Sequence, residues 1–305
     1  MNTIRNKYAY VLKSIKKDKT LLPFLDDLSG KTFLISGGSR GIGLDIGKKL
    51  SMWGANVAVI GKTTSHHPKL DGTIYTAAEE IRNVYWGDYG HDNSIGIPCD
   101  IRKEEQIEKA VKMVAEEFGG IDGVILNASA LCLNNTINQT SKEISLMTEV
   151  NIMGTFLMGQ KAMPYLMESQ HPHALIIAPP IDMIYDEDWW VNHLYYTLSK
   201  FNMSLMAKFW NKEFKRVAVN TLWPRTTIDT APVRNILGGD EMSQISRTTD
   251  IMGIAATSIL LADPSICNGK QFIDDEVLAS LDIDVEQFKV DKSLNEKELM
   301  PDFFC

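Results

Sequence analysis

Residues 31–60 constrain the fold more than any other part of the chain. Lys31-Thr-Phe-Leu-Ile-Ser36 is a short, apolar, β-prone run that stops at Gly37-Gly38. A helical stretch follows from about residue 42 to 52, closed by Gly54, and residues 56–60 form a second buried run. Strand, glycine-rich turn, helix and strand in that order open a parallel α/β sheet. The turn Ser36-Gly-Gly-Ser-Arg-Gly-Ile-Gly43 places glycines at 37, 41 and 43. Such a turn bends sharply without a Cβ obstructing a pyrophosphate, and the helix behind it offers free N–H groups to phosphate. Its position between strand and helix predicts a nucleotide cradle made of Gly37, Ser39, Arg40, Gly41, Ile42 and Gly43.

The alternation continues along the chain. Periodicity predicts helices at 76–84, 104–118, 141–167 (one or two), 189–214 and 250–261. Strands are expected at 95–99, 123–126, 174–178, 217–222 and 271–273. This order predicts an α/β doubly wound parallel sheet of about seven strands, a Rossmann fold, as a single domain over residues 30–280. Residues 1–29 read as a helical extension. Tyr8, Val11, Leu12 and Ile15 recur at helical spacing, and six basic residues face the single acid Asp18. A helix packed on the domain or a partner, and an organelle-targeting or surface-binding segment, both fit that pattern. Residues 281–305 alternate acids, lysines and isolated apolar residues, a tail that wraps a neighbouring surface or hangs loose.

Bulk properties narrow the function classes. A length of 305 residues, 44% hydrophobic and 23% charged, suits one globular domain with tails. The net charge of -8 argues against nucleic acid or an acidic membrane as partner. The lysines at 13–19 lack the interleaved aromatics of a nucleic-acid surface. No apolar run approaches the roughly 18 residues of a membrane span, so no integral membrane segment is expected. Four widely spaced cysteines without a CxxC pair point to a reducing compartment, with the cytoplasm expected and mitochondrial or peroxisomal association open. His66-His67 and His171-Pro-His173 lack cysteine neighbours and HExxH spacing; they are expected to be surface-loop histidines, and no metal site is expected.

Cofactor choice is argued from the second strand. An NAD site commonly ends that strand with an acid that accepts from the ribose 2′-OH. Here it ends Val59-Ile-Gly-Lys-Thr-Thr64, and Arg40 stands in the glycine turn. Two cations and two hydroxyls suit a 2′-phosphate, which favours NADP(H) over NAD(H). Asp100, after the third strand, is a candidate acceptor for the adenine amino group. Asn127 and Ala128, after the fourth, are candidates to line the adenosine ribose.

Tyr196 and Lys200 lie four apart on a predicted helix and share a face. An ammonium beside a phenol lowers its pKa, so the pair can pass a proton to or from a carbonyl oxygen. Tyr195 competes, but its own i+4 residue is the uncharged Ser199. His193, Trp189 and Trp190 either border the substrate pocket or merely pack. Met147, Met153, Met158, Met163 and Met167 read as core or subunit-contact residues.

Taken together, Gly37-Gly-Ser-Arg-Gly-Ile-Gly43, Asn127-Ala-Ser129, Asn151, Tyr196-Thr-Leu-Ser-Lys200 and Asn220-Thr-Leu-Trp-Pro224 resemble the classical short-chain dehydrogenase/reductase family over about residues 30–275. Lys62-Thr-Thr64, Gly72-Thr-Ile-Tyr-Thr-Ala-Ala-Glu-Glu80 and Pro179-Pro180 narrow the likeness to a hydroxysteroid dehydrogenase-like group. Some of that group carry a C-terminal sterol-carrier-like domain, for which the residues after 281 are too few. The resemblance implies that Tyr196 is the proton donor and that Lys200 lowers its pKa and holds the nicotinamide ribose. It implies that Asn151 supports a water linking Lys200 to solvent, that Pro224 and the stretch 226–230, with Thr227 chosen from it, flank the nicotinamide, and that Asp100 holds adenine. The implied activity is an NADP(H)-dependent oxidoreductase interconverting a carbonyl and an alcohol on an apolar or lipid-like small molecule. The implied assembly is a homodimer or homotetramer.

The family's serine after the fifth strand has no equivalent here: the strand runs into Ala178-Pro-Pro180, and counting back from Tyr196 reaches Asp182 and Met183. Arg225 replaces the family's usual glycine after the proline, as a rim residue or a partner for an acidic substrate or cofactor phosphate. Two other readings therefore stay open: a cofactor-binding sensor or assembly partner with little catalysis, and a membrane-surface or organellar adaptor using the basic N-terminus.

Overall fold

The computed structural model describes residues 27–67, 70–85, 92–181 and 193–303. Seven strands form one sheet: β1 (Thr32–Ser36), β2 (Asn56–Gly61), β3 (Ser94–Pro98), β4 (Gly123–Leu126), β5 (His173–Ile177), β6 (Ala218–Trp223) and β7 (Gln271–Ile273). All pairings are parallel, in the spatial order 3-2-1-4-5-6-7. The order reverses between β1 and β4, where Ser36 pairs with Ile60 on one side and Leu126 on the other. A crevice opens at the carboxyl ends of the strands at such a reversal.

Alternate side chains of each strand point to opposite faces, and both faces are apolar. Ile35, Val57 and Val59 join one core; Leu34, Ala58 and Ile60 join the other. The helices that cover them are α1 (Gly41–Met52), α2 (Ile74–Arg82), α3 (Glu104–Phe118), α4 (Ser141–Met147), α5 (Thr155–Glu168), α6 (Leu194–Glu213), α7 (Gly239–Gln244), α8 (Asp250–Leu261) and α9 (Asp274–Ala279). A capping box between Thr73 and Thr76 starts α2, and left-handed Gly119 stops α3. Every residue of α8 from Ile251 onward is buried, and this helix backs α1, the element that follows the glycine turn.

The sequence-predicted helices and strands fall within a few residues of their expected places, whereas α7 and α9 were not expected. The stretch expected as one or two helices is α4 and α5 joined by a π-helical segment, Thr148–Gly154. Of its methionines, Met147, Met158 and Met163 are buried, whereas Met153 and Met167 are exposed. Trp189, Trp190, Asp182, Met183 and the basic segment 1–20 lie outside the described residues.

The histidine expectation is corrected at residues 171 and 173. Both are buried and their rings lie 4.5 Å apart. His171 Nε2 is 2.6 Å from the Leu260 carbonyl, and His173 Nε2 is 3.1 Å from that of Ala262. They tie β5 to the end of α8. Polar spacing suggested a loop, but each ring meets a backbone carbonyl in the interior through Nε2, while His173 Nδ1 is buried without a partner.

The tail after residue 281 wraps its own domain. Phe288, Lys289 and Leu299 are buried. Thr248 N donates to Phe288 O (2.7 Å), Val290 N to Ser246 O (3.0 Å) and Met300 N to Ile245 O (2.9 Å). Thr227 N then donates to Met300 O (2.9 Å) and Asp302 N to Arg225 O (3.0 Å), which carries the chain back to the carboxyl end of β6.

Candidate active site

The glycine turn is shaped by contact as well as by backbone angle. Gly37 has φ +68°, and a Cβ there would lie 2.9 Å from Ala128 Cα. A Cβ on Gly43 would lie 2.6 Å from both Asn127 Nδ2 and the Gly37 carbonyl. No larger residue fits either place without displacing backbone. Asn127 Nδ2 donates to the Ser36 and Gly37 carbonyls, each at 3.0 Å. Ser36 Oγ accepts from the amides of Asn127 and Ala128, each at 3.1 Å. The ends of β1 and β4 are thus locked together beneath the turn.

A cavity of about 610 Å³ opens above it. Gly37, Ser39, Arg40, Gly41 and Ile42 border one end, together with Lys62, Asp100, Asn127 and Ala128. Gly43 lies below the turn and serves its packing. Arg40 donates from Nε to Asp71 O (2.8 Å) and from Nη2 to Gly72 O (2.9 Å), so its guanidinium is held at the rim. Asp100 is clamped by Arg102 at 2.9 and 2.6 Å. Those bonds hold its carboxyl below the usual range.

Tyr196 and Lys200 are both buried on α6 and border the other end of the cavity. Lys200 Nζ donates to the Ile177 carbonyl (2.6 Å) and lies 5.0 Å from the centre of the Trp223 ring. Burial pushes the Lys200 ammonium down to about 7, against the attraction of Asp302. Burial, then Asp302, pushes the Tyr196 phenol above its ordinary range. Tyr195 turns elsewhere: its hydroxyl pairs with Thr148 Oγ1 at 2.6 Å.

Asn151 sits fully buried in the π-helical segment, behind the cavity wall. Its Nδ2 donates to Ala130 O and Ser199 Oγ, each at 2.9 Å. Its Oδ1 accepts from Ala130 N at 2.7 Å and Ser129 Oγ at 3.2 Å. Ser199 Oγ in turn donates to Tyr196 O at 2.7 Å. One side chain therefore braces the loop after β4 against the helix that carries Tyr196. A π-helical turn at such a position is a common mark of a functional site.

Pro224 borders the cavity, whereas Thr227 does not. The Thr227 amide is held by Met300 and its hydroxyl by Ser246 (2.7 Å), which turns it into the body of the protein. Within the expected stretch 226–230 it is Ile228 and Thr230, and not Thr227, that stand on the wall. Arg225 pairs with Asp275 (3.1 Å) and Glu276 (2.5 Å), anchoring α9 rather than the cavity. His193 is buried, with Nδ1 3.2 Å from Thr197 Oγ1. Ala178, Pro179 and Pro180 are buried and carry no hydroxyl.

Among the wall residues that escaped sequence reasoning are Trp223, Asp302 and Phe303. The Phe303 ring stands edge-on to His193 (5.0 Å) and Tyr196 (6.1 Å). The only sequence signal for the last two was an aromatic pair closing a charged tail. Burial pushes the Asp302 carboxyl up to about 7; the Phe303 amide (2.7 Å from Oδ1), the Trp223 indole N–H and Lys200 pull it back, and Asp274 adds to the rise.

Among the described residues no helix is long and apolar enough to cross a membrane, and no group of three or more His, Cys, Asp or Glu side chains is gathered as for a metal ion.

Comparison with known proteins agrees with this geometry. Residues 31–237 match the short chain dehydrogenase family. Hydroxysteroid dehydrogenase-like protein 2 of Bos taurus is 40% identical over 287 residues, which is 93% of this chain but 65% of the bovine protein. The chain thus spans about two thirds of the length of that relative. A crystal structure from Xanthomonas campestris is 39% identical with a TM-score of 0.83, covering 92% of this chain and 99% of that one. A short chain dehydrogenase from Mycobacterium thermoresistibile is 36% identical with a TM-score of 0.81, covering 91% and 96%. The chain belongs to the short-chain dehydrogenase/reductase family of NAD(P)H-dependent oxidoreductases.

Proposed function

We propose that this protein interconverts a carbonyl and an alcohol with NADP(H), on an apolar, lipid-like substrate, with Tyr196 as the acid/base. The observation that carries this reading is one continuous cavity. It has the glycine turn at one end and the buried Tyr196 and Lys200 at the other. The cofactor fits the residues present. Glycines stand at 37 and 43 where a Cβ would strike the neighbouring strand end, and the first turn of α1 faces the space above them. Bound there, a nicotinamide supplies or accepts hydride at the substrate carbon.

The chain's own groups do the rest. The Tyr196 phenol, kept neutral by burial, holds the proton that the substrate oxygen needs. Lys200, near neutrality in its ammonium/amine balance, becomes more cationic as phosphate charge enters the cavity, and so favours release of the Tyr196 proton. Ile177, Trp223, Ile228 and Phe303 give that end an apolar wall, which supports an apolar substrate. Lys62 and Arg40 at the far end, with no acid closing β2, support preference for the 2′-phosphate. The exposed residues Leu194, Leu198, Leu205 and Phe209 fall on one face of α6, beside Met153 and Phe156. That stripe suits a second copy of the chain, hence a homodimer or homotetramer.

The test combines calorimetry with a carbonyl panel followed by NADPH absorbance. Tighter binding of NADPH than NADH, and turnover lost in Tyr196→Phe, are the expected results. Equal turnover after Tyr196→Phe would sink the assignment. The Ala178-Pro-Pro180 run, without a hydroxyl, favours a second reading of binding with weak catalysis. Tight NADPH binding without turnover on any member of the panel would select it.

A further inference from the structure

The last described residues end inside the proposed reacting site. Backbone bonds from Thr227 to Met300 and from Asp302 to Arg225, with a bridge between Thr226 and Pro301, fix residues 300–302 along the segment that leaves β6. Asp302 and Phe303 then border the cavity with Tyr196, Lys200, Trp223 and Ile177. Among the cavity's described wall residues, the carboxyls belong to Asp302 and Asp100. Asp100 stands at the far end, clamped by Arg102. The hydroxyl nearest the reacting end on the loop after β4, that of Ser129, donates to Asn151. Ala178 to Pro180 supply none. Carbonyl reduction gains when a second donor joins the phenol at the oxygen where negative charge develops.

We propose that Asp302 is a catalytic residue of this pocket, its carboxyl donating a hydrogen bond to the substrate oxygen beside the Tyr196 phenol. The assignment rests on the oxidoreductase reading above. No proton is transferred by Asp302 in this role; Tyr196 gives the proton and Asp302 stabilises the oxygen. An ionised carboxylate would repel that oxygen, so the role requires the protonated form. Burial and Asp274 at the start of α9 favour it, while the Phe303 amide, which donates to Asp302 Oδ1 at 2.7 Å, the Trp223 indole and Lys200 on α6 oppose it. Tyr196, also on α6, faces it as a neutral phenol. His193 stands behind Phe303, and the Arg225 side chain is engaged by Asp275 and Glu276. The balance leaves the carboxyl titrating at about 7. Activity through Asp302 is therefore full on the acid side of neutrality and falls as pH rises through that value.

Full-length Asp302→Ala and Asp302→Asn separate this role from mere packing. The amide of asparagine donates without titrating. In Asp302→Ala, kcat for carbonyl reduction should fall roughly 100-fold, with the NADPH Kd changed less than about twofold. Asp302→Asn should restore most of the rate and lose the fall near pH 7, leaving a profile set by Tyr196 and Lys200. A wild-type rate and pH profile in Asp302→Ala, with Tyr196→Phe inactive, overturns the inference and leaves the oxidoreductase reading standing. Equal loss in both variants, with the thermal midpoint of Asp302→Asn unchanged, also overturns it. Wild type that binds NADPH and reduces no carbonyl overturns the reading itself, and this role with it.

Discussion

Gly37→Ala is the sharpest probe of the cradle, because the structure supplies its own control. Gly37 and Gly30 have nearly the same backbone conformation, φ +68° and +74°. An alanine in that region costs about 1–2 kcal/mol, offset by about 0.4–1 kcal/mol from the less flexible unfolded chain. Gly30→Ala meets nothing within 4 Å, so it should lose no more than about 1.5 kcal/mol. Gly37→Ala carries the same backbone term. Its Cβ also meets Ala128 Cα at 2.9 Å, Asn127 Nδ2 at 3.1 Å and Ala128 Cβ at 3.2 Å. Two of those atoms are fixed by the strand end, so relief requires β1 and β4 to part. Overpacking of that kind adds about 1–3 kcal/mol. The expected difference between the variants is about 2 kcal/mol, or about 4–8 °C in thermal midpoint for a domain of this size. Calorimetric titration should show NADPH affinity unchanged in Gly30→Ala and at least about tenfold weaker in Gly37→Ala, since each 1.4 kcal/mol is a factor of ten. Equal midpoints and equal affinities in the two variants would refute the argument that contact, and not backbone angle alone, demands glycine at 37.

Two further outcomes follow from residues away from the cavity. His173 is pushed down to about 3, chiefly by burial and then by His171, so it folds in its neutral form. Its contribution is complete above about 6.5 and is lost as pH falls toward 3; His173→Gln should remove an acid-side loss on the order of 3 kcal/mol at pH 4. Parallel stability curves for the variant and wild type between pH 7 and pH 4 in urea would contradict this. Phe209→Glu, on the exposed stripe of α6, should shift sedimentation from a dimer or larger species to a monomer while leaving the thermal midpoint of the isolated chain nearly unchanged. A wild-type sedimentation pattern would remove that face from consideration.

The sheet was legible because its strands are short apolar runs, each cut off by glycine, asparagine, aspartate or proline, and because buried parallel strands need no alternation. Gly37, Gly41 and Gly43 were legible for the same reason: a turn this tight leaves few substitutes. Tyr196 and Lys200 were recoverable from helical spacing. Thr227 was misplaced because its direction depends on Met300, 73 residues later, and no local pattern encodes that bond. The histidines at 171 and 173 looked like loop residues because the carbonyls that bury them, Leu260 and Ala262, come from the far end of α8. Asp302 and Phe303 were hidden in the same way. Their tail shows no period, and its course is set by single hydrogen bonds to residues 225, 227 and 245. What sequence reading recovers is local periodicity and turn chemistry; what it misses is side-chain direction fixed by distant partners.

The docking of residues 299–303 also imposes an order on the molecule's assembly. All seven strands and the glycine turn precede this segment in the chain, so a nascent polypeptide can complete the phosphate-holding half of the crevice before Asp302 and Phe303 are added to the opposite wall. The reacting end closes only when residues 299–303 have docked along the segment that leaves β6. In refolding, recovery of dinucleotide affinity should therefore come no later than recovery of turnover, and the interval between them measures the time this last strap takes to seat.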